Sequence, residues 1–239
     1  MADNRQQFWL GVRDLLPLVS GVLPFGLIAG ATGISMGMTP EMVMGMTVLF
    51  FAGSAQLAAY SLIQDNAPFI IILFTVVVIN LRFVIYSASF APLLGPLKKR
   101  HRFPLTYMLS DQVYGLCSMP EQQKKSPTQR IWYLSGVAIS MALSWIFSVL
   151  LGVALGASIP AHWSLEFTIP LAFLAMLVTT ISNRLLFMVA LVSGGSAIAF
   201  QLLPYNTGFI AAVVAGVCCG LFIPNLFNQQ DDKQGGEHG

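Results

Sequence analysis

Apolar residues in this chain neither alternate with polar ones nor mark a single helical face. They run on for twenty or more positions, and polar residues gather in short gaps between the runs. About 20 apolar residues, rising 1.5 Å each along a helix, match the hydrocarbon core of a bilayer. The pattern therefore predicts an all-α, polytopic membrane helical bundle with about seven spanning segments and one short re-entrant or broken segment. The expected spans are 15–37, 42–63, 69–91, 131–157, 167–182, 185–203 and 207–227, within a single transmembrane domain over 15–227. Residues 1–14 read as a polar N-terminal segment, and 228–239 as a disordered polar tail. Runs such as "FIIILFTVVVI" (69–79) lack the alternation of a membrane barrel strand.

The short segment is 103–120, which carries Asp111 and has basic runs at both ends. Seven of the twelve Lys and Arg residues lie in 98–130. Positive loops stay cytoplasmic, so both ends of the segment are expected inside, and the segment re-enters or is broken rather than crossing. Counted forward, 158–166 falls outside, Arg184 inside and the C-terminus inside. Counted backward, three spans before Lys98 place the N-terminus outside with Arg5 and Arg13. That conflicts with the same rule unless the first half holds another re-entry, for which Pro24 and the Asn80–Arg82 region are the expected places.

Composition narrows the function. The chain is 56% apolar and only 9% charged, against about 25% charged in a soluble domain, with a net charge of +2. This excludes a disordered chain and a nucleic-acid binder working through a basic surface. The first apolar stretch is long enough to stay as a span, so no cleavable signal peptide is needed. Cys117 is isolated and Cys218 adjoins Cys219, which suits soft apolar packing more than chemistry. His101, His162 and His238 lie outside the apolar segments, so neither a metal site nor any cofactor is expected. Enzyme chemistry is not expected either. Ser54 has no histidine base in the apolar segments, Asp111 has no second membrane carboxylate, and there is no Walker A motif.

Arg82 stands mid-span, where a cation costs at least about 2.5–3.5 kcal/mol. On a helical wheel it shares a stripe with Thr75, Tyr86 and Ser89, while Asn80 and Ser87 form a second one. A polar cavity wall binding a carboxylate and a structural arginine satisfying helix carbonyls both fit. Asp111 shares a face with Pro104, Tyr107, Tyr114 and Ser118 if 103–120 is one helix. It suits an ammonium partner, an Arg82 partner, a proton carrier or a solvated interfacial acid. Pro24-Phe25-Gly26 and Gly53-Ser54-Ala55-Gln56 suit either broken helices offering backbone groups or close helix packing. Gly136, Ser140, Ser144, Ser148, Gly152 and Gly156 form a ladder of small residues, which predicts close approach of another helix. Trp145 within it reads as packing, Glu166 as a helix cap and Arg184 as a cytoplasmic turn charge. Leu23-Pro24 and Ile169-Pro170 hint at an internal repeat.

In their order, "LPFGLIAGATG", "FAGSAQ", "NLRFVIYSASFAP", "LSDQVYGL" and "WIFSVLLGVALG" resemble the AzlC family over roughly residues 10–226. These are YgaZ- or BrnF-like large subunits of branched-chain amino acid exporters. Family members commonly read FAG(A/S)xQ, (N/D)xRxxxY and TDE. The first two are present as Phe51–Gln56 and Asn80–Tyr86, whereas the third reads Ser110-Asp111-Gln112. An acid has become an amide there, so any role of that pair rests on Asp111.

The resemblance implies a secondary transporter subunit in the bacterial inner (cytoplasmic) membrane. It would export valine, leucine and isoleucine, with methionine a further candidate, using the proton motive force. A separate small AzlD-like membrane subunit is the implied partner. The site residues expected on this basis are Pro24, Phe25, Gly26, Gly53, Ser54, Gln56, Asn80, Arg82, Tyr86, Asp111 and Gln112. Arg82 and helix-break N–H groups near Gly26 or Gly53 would take the carboxylate. Asp111, Gln56 and Asn80 would take the amine. The alternatives are a non-transporting membrane scaffold for a small subunit and a small-anion exporter or channel.

Overall fold

The computed structural model describes residues 2–156, 184–201 and 211–222, with single positions at 174, 177, 181 and 208. The described residues are helical, joined by turns. Nine helices cover the first part: α1 (Ala2–Ser35), α2 (Pro40–Phe50), α3 (Gly53–Gln64), α4 (Phe69–Asn80), α5 (Arg82–Leu94), α6 (Lys99–Tyr107), α7 (Asp111–Cys117), α8 (Pro120–Gln123) and α9 (Pro127–Gly156). Two more follow at Arg184–Ala199 and Ala211–Phe222. Among the described residues, three stretches are long and apolar enough to cross a membrane: Asn4–Ser35, Phe69–Leu94 and Pro127–Gly156. The expected span 167–182, the loop before it, Glu166, Pro170 and the tail 228–239 lie almost wholly outside the described residues.

The chain forms two compact units, one of Met1–Asp65 with Ile72–Phe173 and one of Asn66–Ile71 with Leu174–Gly239. The first is built on a seam between α1 and α9. Their contacts advance together along both helices: Phe8 meets Gly136, Leu23 meets Ser148, Leu27 meets Gly152 and Ala31 meets Gly156. The two helices are therefore parallel. Small residues let their backbones touch, as the ladder predicts. A Cβ on Gly30 would lie 2.7 Å from Val153 N, and one on Gly152 would lie 3.0 Å from Gly30 Cα. At the N-terminal end, Tyr133 OH donates to Asp14 Oδ2 at 2.8 Å and Lys125 Nζ to Gln7 Oε1 at 2.8 Å.

α1 begins at Ala2, and the polar stretch 2–14 is helical and continuous with the apolar stretch that follows. The helix continues through Pro17 and Pro24 without the expected break. Proline deletes one ladder bond but leaves the rest. Packing holds this turn helical: the Ser148 hydroxyl donates to the Leu23 carbonyl, and Gly26 is buried against Ser148.

The expected span 42–63 is a helical hairpin. Gln56 Nε2 donates to Thr47 Oγ1 at 3.1 Å and lies 3.5 Å from Val43 O. In a straight helix residues 43 and 56 would stand about 20 Å apart. Gly33 of α1 faces both Val43 and Tyr60, whereas Gly53 faces Phe25. So α2 runs back along α1, and α3 returns in the direction of α1. The chain reverses at Phe51, which holds left-handed φ 45° and ψ 37°, uncommon for a bulky residue. Its N–H caps α2 on Thr47 O at 3.2 Å, and its ring packs on Tyr107 at 5.4 Å. At the other end Thr39 caps α2, and Glu41 stands in the first turn, where a negative charge suits the helix dipole. A backbone hydrogen bond and the Thr39 side chain hold the Glu41 carboxyl below its ordinary range.

Residues 99–123 reverse in the same manner. Arg102 at the start of α6 donates to Gly95 O at 3.2 Å, beside the end of α5, and Tyr107 at its far end donates to Val48 O of α2. Then α7 runs parallel to α5: Asp111 meets Arg82 and Tyr86, and Tyr114 meets Tyr86 and Phe90. The Pro104–Ser118 face is thereby split between α6 and α7. In the second unit, Arg184–Ala199 and Ala211–Phe222 pack antiparallel, with Gly216 against Ser193 and Gly220 against Val189. Arg184, expected in a turn, is helical there.

Candidate functional site

Three chain reversals or tightened turns meet at one place. The first is the α2–α3 tip, with α3 beginning at Gly53. The second is Leu81, where Val84 N donates to Leu81 O at 3.0 Å and separates α4 from α5. The third is 108–110, where the Ser110 side chain caps α7. Arg82 and Asp111 therefore each open a helix. Polar side chains tolerated at helix starts appear here within apolar segments, where they need mutual partners.

They find them. Arg82 Nη1 donates to Asp111 Oδ2 at 2.6 Å, and Arg82 Nη2 to Ser54 Oγ at 2.6 Å. Tyr86 OH donates to the other carboxylate oxygen, Asp111 Oδ1, at 2.6 Å. Tyr86 stacks on Tyr114 with ring centres 4.5 Å apart, and the Arg82 guanidinium lies 5.3 Å from the Phe83 ring. The Arg82 and Asp111 side chains are 25% and 38% exposed, so the pair is reachable. Hydrogen-bonding capacity is left over. Among the described residues, Asn80 Oδ1, Arg82 Nε and Trp145 Nε1 are buried without a partner. Trp145 covers Gly53 together with Phe25, its ring 5.8 Å from the Phe25 ring.

Of the residues singled out from sequence, Ser54, Arg82, Tyr86 and Asp111 come together in this cluster. Asn80 and Gln112 adjoin it in sequence, both half-buried. Phe25 and Gly53 lie beside it, in contact through Trp145. Pro24 is exposed, and Gly26 is buried in the α1–α9 seam. Gln56 is elsewhere: 2% exposed, it donates to Tyr60 OH at 2.8 Å and to Thr47 Oγ1 at 3.1 Å, tying α2 to α3. Thr75 is buried, whereas Ser87 and Ser89 are exposed. Sequence reading missed Thr47 and Tyr60 as partners of Gln56. Their i+4 spacing within helices (Val43–Thr47, Gln56–Tyr60) was the available signal. Among the described residues no group of His, Cys, Asp and Glu is arranged to hold a metal.

A cleft of about 260 Å³ lies between α5 and α6, lined by Ser87, Ala91, Leu94, Gly95, Arg102, Phe103 and Thr106. It is mostly apolar and lies along α5 past Ser87, with Arg102 at its edge.

Chemically, the cluster is a cation and an anion side by side at the edge of an apolar region, flanked by hydroxyls and unused polar atoms. Such a pair can exchange its internal partner for an external one of the same charge.

The family described as "AzlC protein" matches residues 17–159, which hold α9 and every member of the cluster. A protein of Archaeoglobus fulgidus described as "Uncharacterized membrane protein" is 28% identical over 217 residues, covering 87% of this chain and 92% of its own. No solved structure matches. With the family pattern spanning well over half of the sequence, the chain is a membrane protein of the AzlC family.

Proposed function

We propose that this chain is the large subunit of a secondary transporter that exports branched-chain amino acids across the bacterial cytoplasmic membrane. The observation that carries the reading is the Arg82–Asp111 pair, held by Ser54 and Tyr86 where three helix starts converge. A zwitterion with an apolar side chain needs a cation, an anion and an apolar surround. Arg82 offers a planar fork for the carboxylate, Asp111 a partner for the ammonium, and Phe25, Phe83 and Trp145 an apolar surround. Export runs on the proton motive force and uses a small AzlD-like subunit. The scaffold reading loses ground because α1 already occupies much of the small-residue ladder of α9, and a scaffold has no use for a mid-segment ion pair. A small-anion pathway would need Arg82 but not Asp111.

The same reading assigns sides. The basic stretch 98–130 is cytoplasmic, and so is the N-terminus with Arg5 and Arg13, because α1 lies parallel to α9. α2–α3 then dips in from outside, Phe69–Leu94 crosses, and α6–α7 dips in from inside. The earlier conflict over the N-terminus disappears, since 42–63 no longer counts as a crossing. Single cysteines at 41 and 65 are expected to react with an impermeant thiol reagent from outside, and those at 99 and 125 only from inside. Opposite sides within either pair would sink this topology.

The functional test is counterflow of labelled leucine in liposomes holding the full chain, with and without the small subunit. Exchange of leucine, valine or isoleucine that Asp111→Asn abolishes supports the amino acid reading. Exchange of small anions that Asp111→Asn leaves intact would replace it.

A further inference from the structure

The Arg82–Asp111 contact does more than place two charges. It ties together three helices at their starts, beside the Tyr86–Tyr114 stack that also joins α5 to α7. Ser54 belongs to α3, Arg82 and Tyr86 to α5, and Asp111 to α7. All three bonds measure 2.6 Å, and both oxygens of Asp111 are engaged. Moving α7 away from α5 would leave a carboxylate and a guanidinium without each other at the edge of an apolar region, which is unfavourable.

We propose that this pair is a latch on the empty carrier, opened by either of two occupants that exclude each other: a zwitterionic amino acid or a proton. The proposal rests on the exporter reading and adds how its site couples to protons. An amino acid opens the latch by supplying both missing partners. Its carboxylate takes the guanidinium edge formed by Nη2 and Nε, the latter buried without a partner. Its ammonium takes Asp111, and Asn80 Oδ1 is an unused acceptor nearby in sequence. A proton opens the latch by a different route. It passes from water to a carboxylate oxygen of Asp111, forms an O–H bond and removes the negative charge that holds Arg82. Once Asp111 carries that proton, the ammonium has lost its counterion. The two occupants therefore compete, which is the condition for exchanging one against the other across a membrane.

The groups facing Asp111 are limited. α5 brings Arg82 and Tyr86, α7 itself brings Tyr114, and α3 brings the uncharged Ser54 hydroxyl. α9 and α1 also pack on α7 but bring Arg130, Tyr133 and Asp14 to the Cys117 end. Asp111 is thus the group whose charge a proton would change here.

The test has two arms on the purified full chain in liposomes. In the first, leucine affinity is measured against pH. Competition at one carboxylate predicts an affinity that is flat while the carboxylate is ionised and falls about tenfold per pH unit once it protonates, with one proton released per leucine bound at that acid end. Asp111→Asn should bind more weakly with no pH dependence, and Asp111→Glu should keep the slope at a shifted midpoint. A flat wild-type profile, or a wild-type slope retained in Asp111→Asn, would overturn the latch while leaving the exporter reading standing. In the second arm, infrared difference spectra of the leucine-free protein on acidification should show a protonated carboxyl band that Asp111→Asn removes. Absence of the band overturns the proposal. Presence of the band with no binding of leucine, valine, isoleucine or methionine at any pH would instead overturn the amino acid reading.

Discussion

The α1–α9 seam and the Arg82–Asp111 cluster are both contacts between helices in apolar surroundings, yet they use opposite means. The seam closes by subtraction: side chains are removed until backbones touch, and a small hydroxyl such as that of Ser148 bonds the facing backbone without holding it apart. The cluster closes by addition: charged side chains reach across a space and leave Arg82 Nε and Asn80 Oδ1 unspent. A contact made by subtraction has one arrangement. A contact made of exchangeable partners has several, and that is where movement belongs.

The comparison breaks most severely at the seam. Gly152→Leu would drive a branched side chain into the Leu27 backbone, which cannot yield. No folded protein should be recovered in detergent extracts, and size-exclusion chromatography of a tagged protein would show it. A monodisperse peak at parental yield would mean that the seam is not as close as described.

Arg82→Lys should act differently. The protein should remain folded and inserted, while leucine counterflow falls roughly tenfold or more, because a lysine ammonium has no planar fork. Loss of a charge-assisted hydrogen bond is worth about 1.5–3 kcal/mol. Full transport would remove the forked role, and loss of the folded protein would make Arg82 a structural residue after all.

Gln56→Leu lies between these. It strands the Tyr60 hydroxyl in the buried α2–α3 hairpin, while Thr47 keeps its bond to Val43 O, so a stability loss of about 1–3 kcal/mol is expected by thermal or denaturant unfolding. Apparent affinity for leucine should not change. A shift in affinity without a loss of stability would return Gln56 to the site.

The smallest effect is expected at Gly21, on α1 but facing open space. Gly21→Ala should be neutral or gain up to about 1 kcal/mol. Gly30→Ala, nine residues further along the same helix, should be strongly damaging. Equal effects at the two positions would erase the distinction between the seam and the rest of α1.

Much of this was readable from composition and spacing, and the exceptions have physical causes. Arg82 and Asp111 stood out because hydrocarbon makes lone charges expensive, whichever way the chain turns. The small-residue ladder announced a close helix partner but could not name α1, since packing partners are set by tertiary geometry. The reversal at Phe51 was hidden because a re-entrant hairpin and a straight span bury equally apolar residues, and no glycine marks that left-handed position. Pro24 misled in the other direction. One missing ladder bond is a local penalty, and the packing of α9 on that turn outweighs it. Gln56 looked like a binding amide because its sequence neighbours belong to the cluster, but the helix turns its side chain toward α2 instead.

The parallel seam also sets a timetable for biosynthesis. Leu23 and its partner Ser148 are separated by 125 positions in the chain. At about 5–20 residues per second, α9 reaches completion roughly 6–25 s after the matching turn of α1. Through that interval α1, with its two prolines and its glycine face, is in the membrane without the helix that keeps it whole. The growing polypeptide must therefore be sheltered by insertion machinery or by lipid until its ninth helix emerges.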